Sequence, residues 1–348
     1  MRFNRNIIAV ILATCAIAFC PPARADREDY SGMKPYRRNI NDVKAMEKDE
    51  AIKARIAAIV DRYADPNSEW DFENNADILA LMDGRLRYPV GYFINYRLTQ
   101  FAGRGTPQQR AALVYAAALI RSGTCSDGIA MIFAAEPHPR VKDMALDAMA
   151  AVKGKACRDV VKAELTSGNS PAEFTLRLAR LGLKMGFVEE TKSFLEPRLN
   201  IARNPVERVE MLTILYRAGD AGRMDEIRRT LERERPNPRG FAETLNALTS
   251  AVSDEKVYAL LRDLGSYPDK PSAAIALLKL IDMTGLPEDF PLGRQADAPE
   301  DAQEPPPEDL PLIEPSMPDE MFRARQNLLL VAAEKQWANR ETGKPYEE

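Results

Sequence analysis

The stretch TPQQRAALVYAAALIRSG, residues 106–123, sets the pattern from which the fold of this chain follows. A threonine stands before Pro107, and a capping side chain followed by proline is typical of a helix start, because the first helical position needs no N–H. Apolar residues then follow on one helical face, at Val114 and Ala117. Gly123 is typical of a helix end. The stretch predicts one amphipathic helix with its own start and stop.

The same signals recur about every 33 residues. Two apolar columns follow each proline, seven and ten residues later, and this i, i+3 spacing places both columns on one helical face. The prolines are Pro107, Pro139, Pro171, Pro205, Pro238 and Pro271, with gaps of 32, 32, 34, 33 and 33 residues. The first column is Val114, Leu146, Leu178, Leu212, Leu245 and Leu278. The second is Ala117, Met149, Leu181, Leu215, Leu248 and Ile281.

A second helix is predicted after a glycine turn in every repeat except the last, which lacks it. The turn glycines are Gly123, Gly154, Gly186, Gly219 and Gly285, with Ser253 in the place of a sixth. The inward positions of the second helix are Ile129, Val161, Ile227 and Leu260, then Phe133, Leu165, Leu231 and Leu264, with Leu195 and Leu199 in the longer third repeat. Such a helix pair cannot bury its apolar face alone, so the pairs must stack on one another.

Over residues 66–285 the pattern resembles the tetratricopeptide class of helical repeats, and short-period HEAT-like or Sel1-like repeats fit as well. The resemblance implies an all-α, right-handed α-solenoid of antiparallel helix pairs. It is one of architecture, because the Trp, Gly-Tyr and Ala-Phe positions of the tetratricopeptide motif do not recur here. No functional residue is carried over from any of these families.

The N-terminal residues predict export. Arg2 and Arg5 precede an apolar run at residues 7–19, and Ala23-Arg24-Ala25 has the small residues of a cleavage site, so residues 1–25 are expected to be a signal peptide cleaved after Ala25. A periplasmic or secreted bacterial protein is the expectation, without a membrane-spanning segment after cleavage. Residues 26–65 are expected to form an extended segment and a leading helix, which precede the repeats.

The C-terminal residues divide into a linker and a helix. Residues 286–317 are rich in proline, aspartate and glutamate, so we expect an extended linker without a packed core. Residues 318–348 are expected to hold an amphipathic helix. Its predicted apolar face is Met321, Leu328, Leu329, Ala332 and Gln336. Two roles are open for this helix: it caps the last repeat, or it docks on a partner.

Composition and motifs argue against several functions. Removing the three arginines of the signal leaves 45 basic and 52 acidic residues, a net charge of −7, which disfavours nucleic-acid binding and favours a basic partner over an acidic one. His138 is the one histidine in the sequence and stands at a predicted helix cap, so we expect no metal site. No P-loop, dinucleotide fingerprint, H-E-x-x-H or G-x-S-x-G motif occurs, so no cofactor and no catalytic residue is predicted.

Two groups of residues are candidate sites. Tyr88, Tyr92 and Tyr96 share one helical stripe and form a candidate interaction surface, although they also suit the edge of a core. Cys125 and Cys157 stand at the same position of neighbouring repeats, each 18 residues after a proline. In an oxidising compartment they are predicted to form a disulfide, provided that one helix start shifts toward the other to bring the Cα atoms within about 7 Å.

These observations lead to two functional hypotheses. The first is a non-enzymatic periplasmic scaffold or adaptor whose repeats hold a protein or peptide partner of a cell-envelope machine. The alternative is a cell-wall or polysaccharide-handling protein that binds glycan or hydrolyses it weakly. The partner's identity, the pathway and the oligomeric state do not follow from the sequence.

Overall fold

The computed structural model describes residues 43–82, 87–168, 170–286 and 313–342. The chain divides into two compact units, Met1–Glu50 and Ala51–Glu348. The predicted signal peptide, most of the acidic linker and the last six residues lie outside the described residues. Within the described ranges every regular element is helical, and there is no strand.

Fifteen α-helices are described, and they follow the predicted pairs closely. They are α1 (Val43–Arg62), α2 (Ala76–Ala80), α3 (Arg87–Phe101), α4 (Pro107–Ile120), α5 (Ser126–Ala135), α6 (Pro139–Val152), α7 (Lys155–Ser167), α8 (Thr175–Lys184), α9 (Val188–Ile201), α10 (Pro205–Arg217), α11 (Arg223–Glu234), α12 (Pro238–Thr249), α13 (Glu255–Gly265), α14 (Lys270–Thr284) and α15 (Asp319–Thr342). Short 3-10 turns cover Phe72–Asn74, Gly123–Cys125 and Ala172–Phe174.

The helices of the second unit stack in two layers. The first helices of the repeats form one layer, in which α4, α6, α8, α10, α12 and α14 each pack on the next. In the second layer α3 packs on α5, α5 on α7, and α7 on α9. Each second helix also contacts the first helix of the following repeat. The described chain is therefore all-helical, and its stacking is consistent with an α-solenoid.

Most predicted helix starts are confirmed. Thr106 and Gln109 form a reciprocal capping box at the start of α4, with bonds of 2.9 and 3.1 Å. The third repeat differs, because Pro171 leads into a 3-10 turn and α8 begins four residues later. In the last repeat the residue before the proline is Lys270, whose side chain cannot accept a capping bond. There the cap is Asp269, whose carboxylate accepts from the backbone N–H of Ser272.

The predicted glycine stops are correct for three repeats and wrong for the first two. Gly186, Gly219 and Gly285 all take the left-handed conformation. In α4 and α6, however, the left-handed residues are Arg121 and Lys153, both with φ of 52°.

Gly154 instead serves close packing. A Cβ there would collide with the side chain of Ser126 on the neighbouring repeat. A glycine in the predicted turn therefore has a packing role here, and the left-handed position goes to the residue before it.

The predicted core columns are buried, with one exception. Leu278 is 44% exposed, whereas its counterparts from Val114 to Leu245 are buried. The helix that carries it, α14, is the last of its layer, so no further repeat covers that side. All predicted inward positions of the second helices are buried, including the shifted Leu195 and Leu199.

A buried polar network ties the first repeat to the residues before it. Thr106 Oγ1 donates to the carbonyl of Tyr63 at 2.6 Å, and Gln109 Nε2 donates to the carbonyl of Val60 at 2.8 Å. Arg110 forms a bidentate pair with Glu136, with distances of 2.6 and 2.8 Å, and both side chains are almost fully buried. The first two bonds fix the end of α1 to the start of α4, and the ion pair joins α4 to the residue that follows α5.

The C-terminal helix packs on the last repeat, and its contacts give its direction. Going up α15, Gln326 bonds the carbonyls of Gly265 and Tyr267, Glu334 pairs with Arg262 at 3.2 Å, and Trp337 stacks on Tyr258 with ring centroids 4.6 Å apart. These contacts descend α13, so α15 is antiparallel to α13. The start of α15 lies beside Lys270 at the start of α14. The helix therefore caps the stack within its own chain, parallel to α14.

The predicted apolar face of α15 is partly wrong. Leu329 and Ala332 are buried as expected, together with Phe322 and Ala333. Met321 and Leu328 are exposed, because the packing face is turned toward Phe322, Gln326 and Leu329. Met321, Leu328 and Val331 consequently form an exposed aliphatic stripe on the outer side of α15.

Among the helices that the structure describes, none combines the length and the apolar composition that crossing a bilayer requires.

Candidate functional site

Two helices near the start of the second unit form a pocket of about 250 Å³. The residues that line it come from α1 and α3, at spacings that place each set on one helical face. They are Lys53, Ile56, Tyr92, Phe93, Tyr96 and Arg97. We call this the tyrosine pocket.

The aromatic wall of the pocket is open to solvent. Tyr92 and Tyr96 are 51% and 55% exposed, values that stand out for large side chains on a packed helix. The Tyr92 ring meets the partly buried Phe93 ring edge-on, with centroids 5.5 Å apart and an interplanar angle of 78°. Buried Ile56 contributes an apolar residue to the lining. This surface offers aromatic faces with phenol hydroxyls, as recognition surfaces do.

Two cations stand beside these rings. The ammonium of Lys53 lies 5.2 Å from the centroid of the Phe93 ring. Arg97 donates from Nη1 to the side-chain oxygen of Gln100 at 3.1 Å, which holds the guanidinium along α3. The local charge of the lining is positive, although the chain as a whole is acidic. The pocket can therefore attract an anionic group next to an apolar one.

Close packing on the opposite side holds α3 in place. A Cβ at Gly128 of α5 would lie 2.5 Å from the Cβ of Leu98, so the two helices approach at a distance that only glycine allows. Asn95 uses its side-chain oxygen to accept from the backbone N–H of Gly128 at 2.7 Å. With this face of α3 fixed against α5, the tyrosine face is directed away from the core.

The structure brings together two of the three predicted tyrosines. Tyr92 and Tyr96 both line the pocket, while the side chain of Tyr88 lies outside the described residues. Sequence reasoning missed Lys53 and Arg97. Arg97 follows Tyr96 directly and could have been noticed, whereas the pairing of α1 with α3 has no local signal in the sequence.

The predicted disulfide is absent from the structure. Cys125 and Cys157 are free thiols, and both are fully buried. Each sulfur is directed to a different backbone oxygen: Cys125 donates to Gly91 at 3.3 Å and Cys157 to Ser126 at 3.4 Å. Burial raises the pKa of the Cys125 thiol to about 12 and that of Cys157 to about 11. The two residues behave as small core side chains.

His138 belongs to a second aromatic cluster, which is structural. It is the cap residue of α6, as predicted, but its side chain makes no capping bond. Its ring lies 5.4 Å from the partly buried ring of Trp70, and the guanidinium of Arg140 lies 4.1 Å from the same Trp70 ring. This contact seats the loop before α2 on the start of α6.

The described residues contain no group of three or more His, Cys, Asp or Glu side chains that could hold a metal ion. Glu136, whose side chain is fully buried, accepts two bonds from Arg110 and one from the backbone N–H of His138 at 2.9 Å. A carboxylate held in this way stabilises the fold and is not available as a general acid or base.

Comparisons with protein-family models, with curated proteins and with solved structures each found no match for this chain.

Proposed function

We propose that this chain is a non-enzymatic scaffold of the bacterial periplasm that binds a peptide segment of a cell-envelope partner in its tyrosine pocket. The proposal includes export by cleavage after Ala25. It also includes the finer architecture expected from the sequence, a right-handed solenoid with a period of about 33 residues.

The observation that carries the proposal is the pairing of exposed tyrosines with cations in one concave site. Tyr92 and Tyr96 remain half exposed although their helix packs tightly on its other side. Exposed tyrosines beside arginine are typical of protein interfaces, because they offer contact area with a polar tip at little cost in side-chain entropy. The lining charges favour a partner segment that carries carboxylates, the opposite of what the net charge suggested.

Charges elsewhere support this choice of site. Between repeats, charged side chains pair with one another: Lys162 with Glu190 at 3.1 Å, Arg180 with Glu210 at 2.8 Å, and Arg228 with Asp263 at 2.8 Å. Such ion pairs connect neighbouring repeats. In the tyrosine pocket the two cations lie beside aromatic rings in a concavity, an arrangement that suits a ligand.

Photo-cross-linking in the periplasm tests the proposal. A photoreactive amino acid at Gln100, beside the pocket, should capture a protein partner, and the Tyr92→Ala/Tyr96→Ala double variant should lose at least about tenfold of that yield. Ile201→Ala is the matched control, because Ile201 is an exposed apolar residue on α9. Equal capture by all three proteins, or capture of no protein, contradicts a peptide site in this pocket.

Glycan binding is the second candidate, and the same rings favour it. Tyrosine faces stack on sugars, and the cations suit the carboxylates of cell-wall muropeptides. Co-sedimentation with purified murein separates the two. Murein binding that is lost in the Tyr92→Ala/Tyr96→Ala variant, without a cross-linked protein, would replace the scaffold by a glycan-binding protein.

A further inference from the structure

The chain itself carries a segment with the chemistry that the tyrosine pocket requires. Residues 287–312 contain seven prolines and eight acidic residues against one arginine. The centre of this segment reads APEDAQEPPPEDLP, residues 298–311. Consecutive prolines favour polyproline II, and peptides in that conformation dock between aromatic rings.

We propose that the tyrosine pocket of one chain binds the acidic proline-rich segment of a second copy, so that the chains associate head to tail. This inference rests on the proposed function, since it requires the pocket to be a peptide site. It names the partner segment and its source.

The spacing of the rings fits such a peptide. Tyr92 and Tyr96 are four residues apart on α3, so their Cβ atoms are about 6 Å apart. Polyproline II has three residues per turn, so one edge of the peptide presents a residue about every 9 Å. Because each ring extends beyond its Cβ atom, two such residues can each meet a ring. Residues between these positions can direct carboxylates to the two cations.

Charge complementarity favours binding of the acidic peptide in this pocket. Lys53 and Arg97 flank the aromatic surface. The segment places Glu300, Asp301 and Glu304 before its three consecutive prolines and Glu308 and Asp309 after them. An acidic group on each side of an apolar centre matches a pocket with cations beside an apolar wall, and such pairs raise association rates at low salt.

The length of the segment favours a second copy over the same chain. Its 26 residues are anchored at Leu286 and Ile313, both buried at the end of the stack. Along one layer, α4 and α14 are separated by five helix-to-helix steps, or about 40–50 Å at 8–10 Å per step. The midpoint of the loop, about 13 residues from either anchor, reaches about 43–47 Å only in full extension. A segment stretched to this length would leave no residues free to pack along the rings of Tyr92 and Tyr96.

The pocket lies at one end of the stack, and Leu286 and Ile313, which flank the segment, lie at the other. Two antiparallel copies can exchange their segments reciprocally, and contacts that do not close in this way extend into longer chains, so the mass of the assembly rises with concentration. A single small pocket implies weak binding, with a Kd on the order of 0.1 mM.

Sedimentation velocity of the exported chain tests the inference. Mass should rise over about a hundredfold range of protein concentration and fall when salt screens the charges. A free peptide of residues 295–311 should return the protein to monomer. Tyr96→Ala and Arg97→Glu should each weaken peptide binding at least about tenfold by fluorescence anisotropy, and Ile201→Ala should leave it unchanged.

Two altered peptides identify what is recognised. Replacing Pro305, Pro306 and Pro307 by alanine keeps the charge and should weaken binding about tenfold, because the preformed conformation is lost. Replacing the acidic residues by their amides keeps the prolines and should weaken binding and remove most of its salt dependence.

The outcomes separate this inference from the proposed function. A chain that stays monomeric and does not bind the peptide overturns the inference, while cross-linking that depends on Tyr92 and Tyr96 would leave the scaffold intact. Association that persists in Tyr96→Ala also overturns it and assigns the contact to another surface. Murein binding without peptide binding overturns both.

Discussion

The two ends of the helical stack are closed by different means, and the difference explains which end is available for binding. At the first end, local contacts close the stack: Thr106 and Gln109 donate to the carbonyls of Tyr63 and Val60, and the buried Arg110–Glu136 pair joins α4 to the end of α5. At the last end, α15 begins 35 residues after the end of α14 and covers α13 and α14. The first end presents aromatic rings with cations, the last an aliphatic stripe.

The largest expected effect comes from breaking the polar closure of the first end. Glu136→Gln leaves Arg110 buried without its counter-charge, which should cost about 3–5 kcal/mol of the free energy of unfolding. Urea denaturation followed by circular dichroism measures it.

Glu210→Gln is the matched control for that change. It removes a carboxylate from the more exposed pair with Arg180 and should cost about 0–1 kcal/mol. Similar losses in both variants would mean that the first end is not held by its buried pair.

The closure of the last end is tested by two adjacent leucines. Leu329 of α15 is fully buried, so Leu329→Ala should cost about 2–5 kcal/mol of local stability. Its neighbour Leu328 is 47% exposed, so Leu328→Ala should change little. Hydrogen exchange should be faster in α15 of the first variant, with α4 and α6 unaffected. Equal behaviour of the two variants would contradict the packing of this helix.

Local signals predicted most of the fold, because each repeat has its own start, apolar face and stop. The proline after a capping residue and the two apolar columns gave most helices of the stack to within a few residues. The predictions fail where a non-local contact decides. Lys153 takes the left-handed conformation that the sequence assigned to Gly154, because Gly154 packs against Ser126. Arg121 takes the same conformation in the first repeat, although nothing lies within 4 Å of a Cβ at Gly123.

The direction of α15 and the tyrosine pocket illustrate the same limit. The apolar pattern of α15 contains two candidate faces, and packing on α14 and α13 selects the one that holds Phe322 and Leu329. The pocket combines α1 with α3. The α3 side of the pocket was visible in the sequence as a stripe of tyrosines. Lys53 becomes part of the site through tertiary packing alone.

A smaller loss of stability is expected when the close contact between helices near the first end is disturbed. Gly154→Ala introduces a methyl group where Ser126 already lies and should cost about 1–3 kcal/mol. Gly123→Ala is the control, since nothing lies within 4 Å of a Cβ at that position. The difference between the two midpoints of thermal unfolding measures the contact, and no difference would mean that the repeats are not packed this closely.

The smallest effect concerns the two buried thiols. Because burial raises the pKa of both Cys125 and Cys157, a thiol reagent at mildly alkaline pH should leave them unmodified in the native protein. Both should react after unfolding in denaturant without reductant. Recovery of no thiol from the unfolded, exported chain would establish the disulfide that the structure lacks.

The raised pKa values also give a pH dependence with a definite sign. The folded state holds these protons more tightly than the unfolded state, so their contribution to stability is complete below the ordinary pKa of 9.0. It is lost as the pH rises from there through about 11 and 12. The Cys125→Ala/Cys157→Ala variant should lose less stability than the wild type between pH 9.0 and about 11. An identical loss in both proteins would assign the effect to other groups.

The two proposals together place binding of the acidic proline-rich peptide in the tyrosine pocket at the first end and not at the capped last end. Hydrogen–deuterium exchange of the exported chain, with and without the peptide of residues 295–311, locates the binding site. We expect slower exchange in α3 and in the part of α1 around Lys53, and unchanged exchange in α13, α14 and α15. Slower exchange confined to α14 and α15, or no change anywhere at a saturating peptide concentration, would contradict this placement of the peptide.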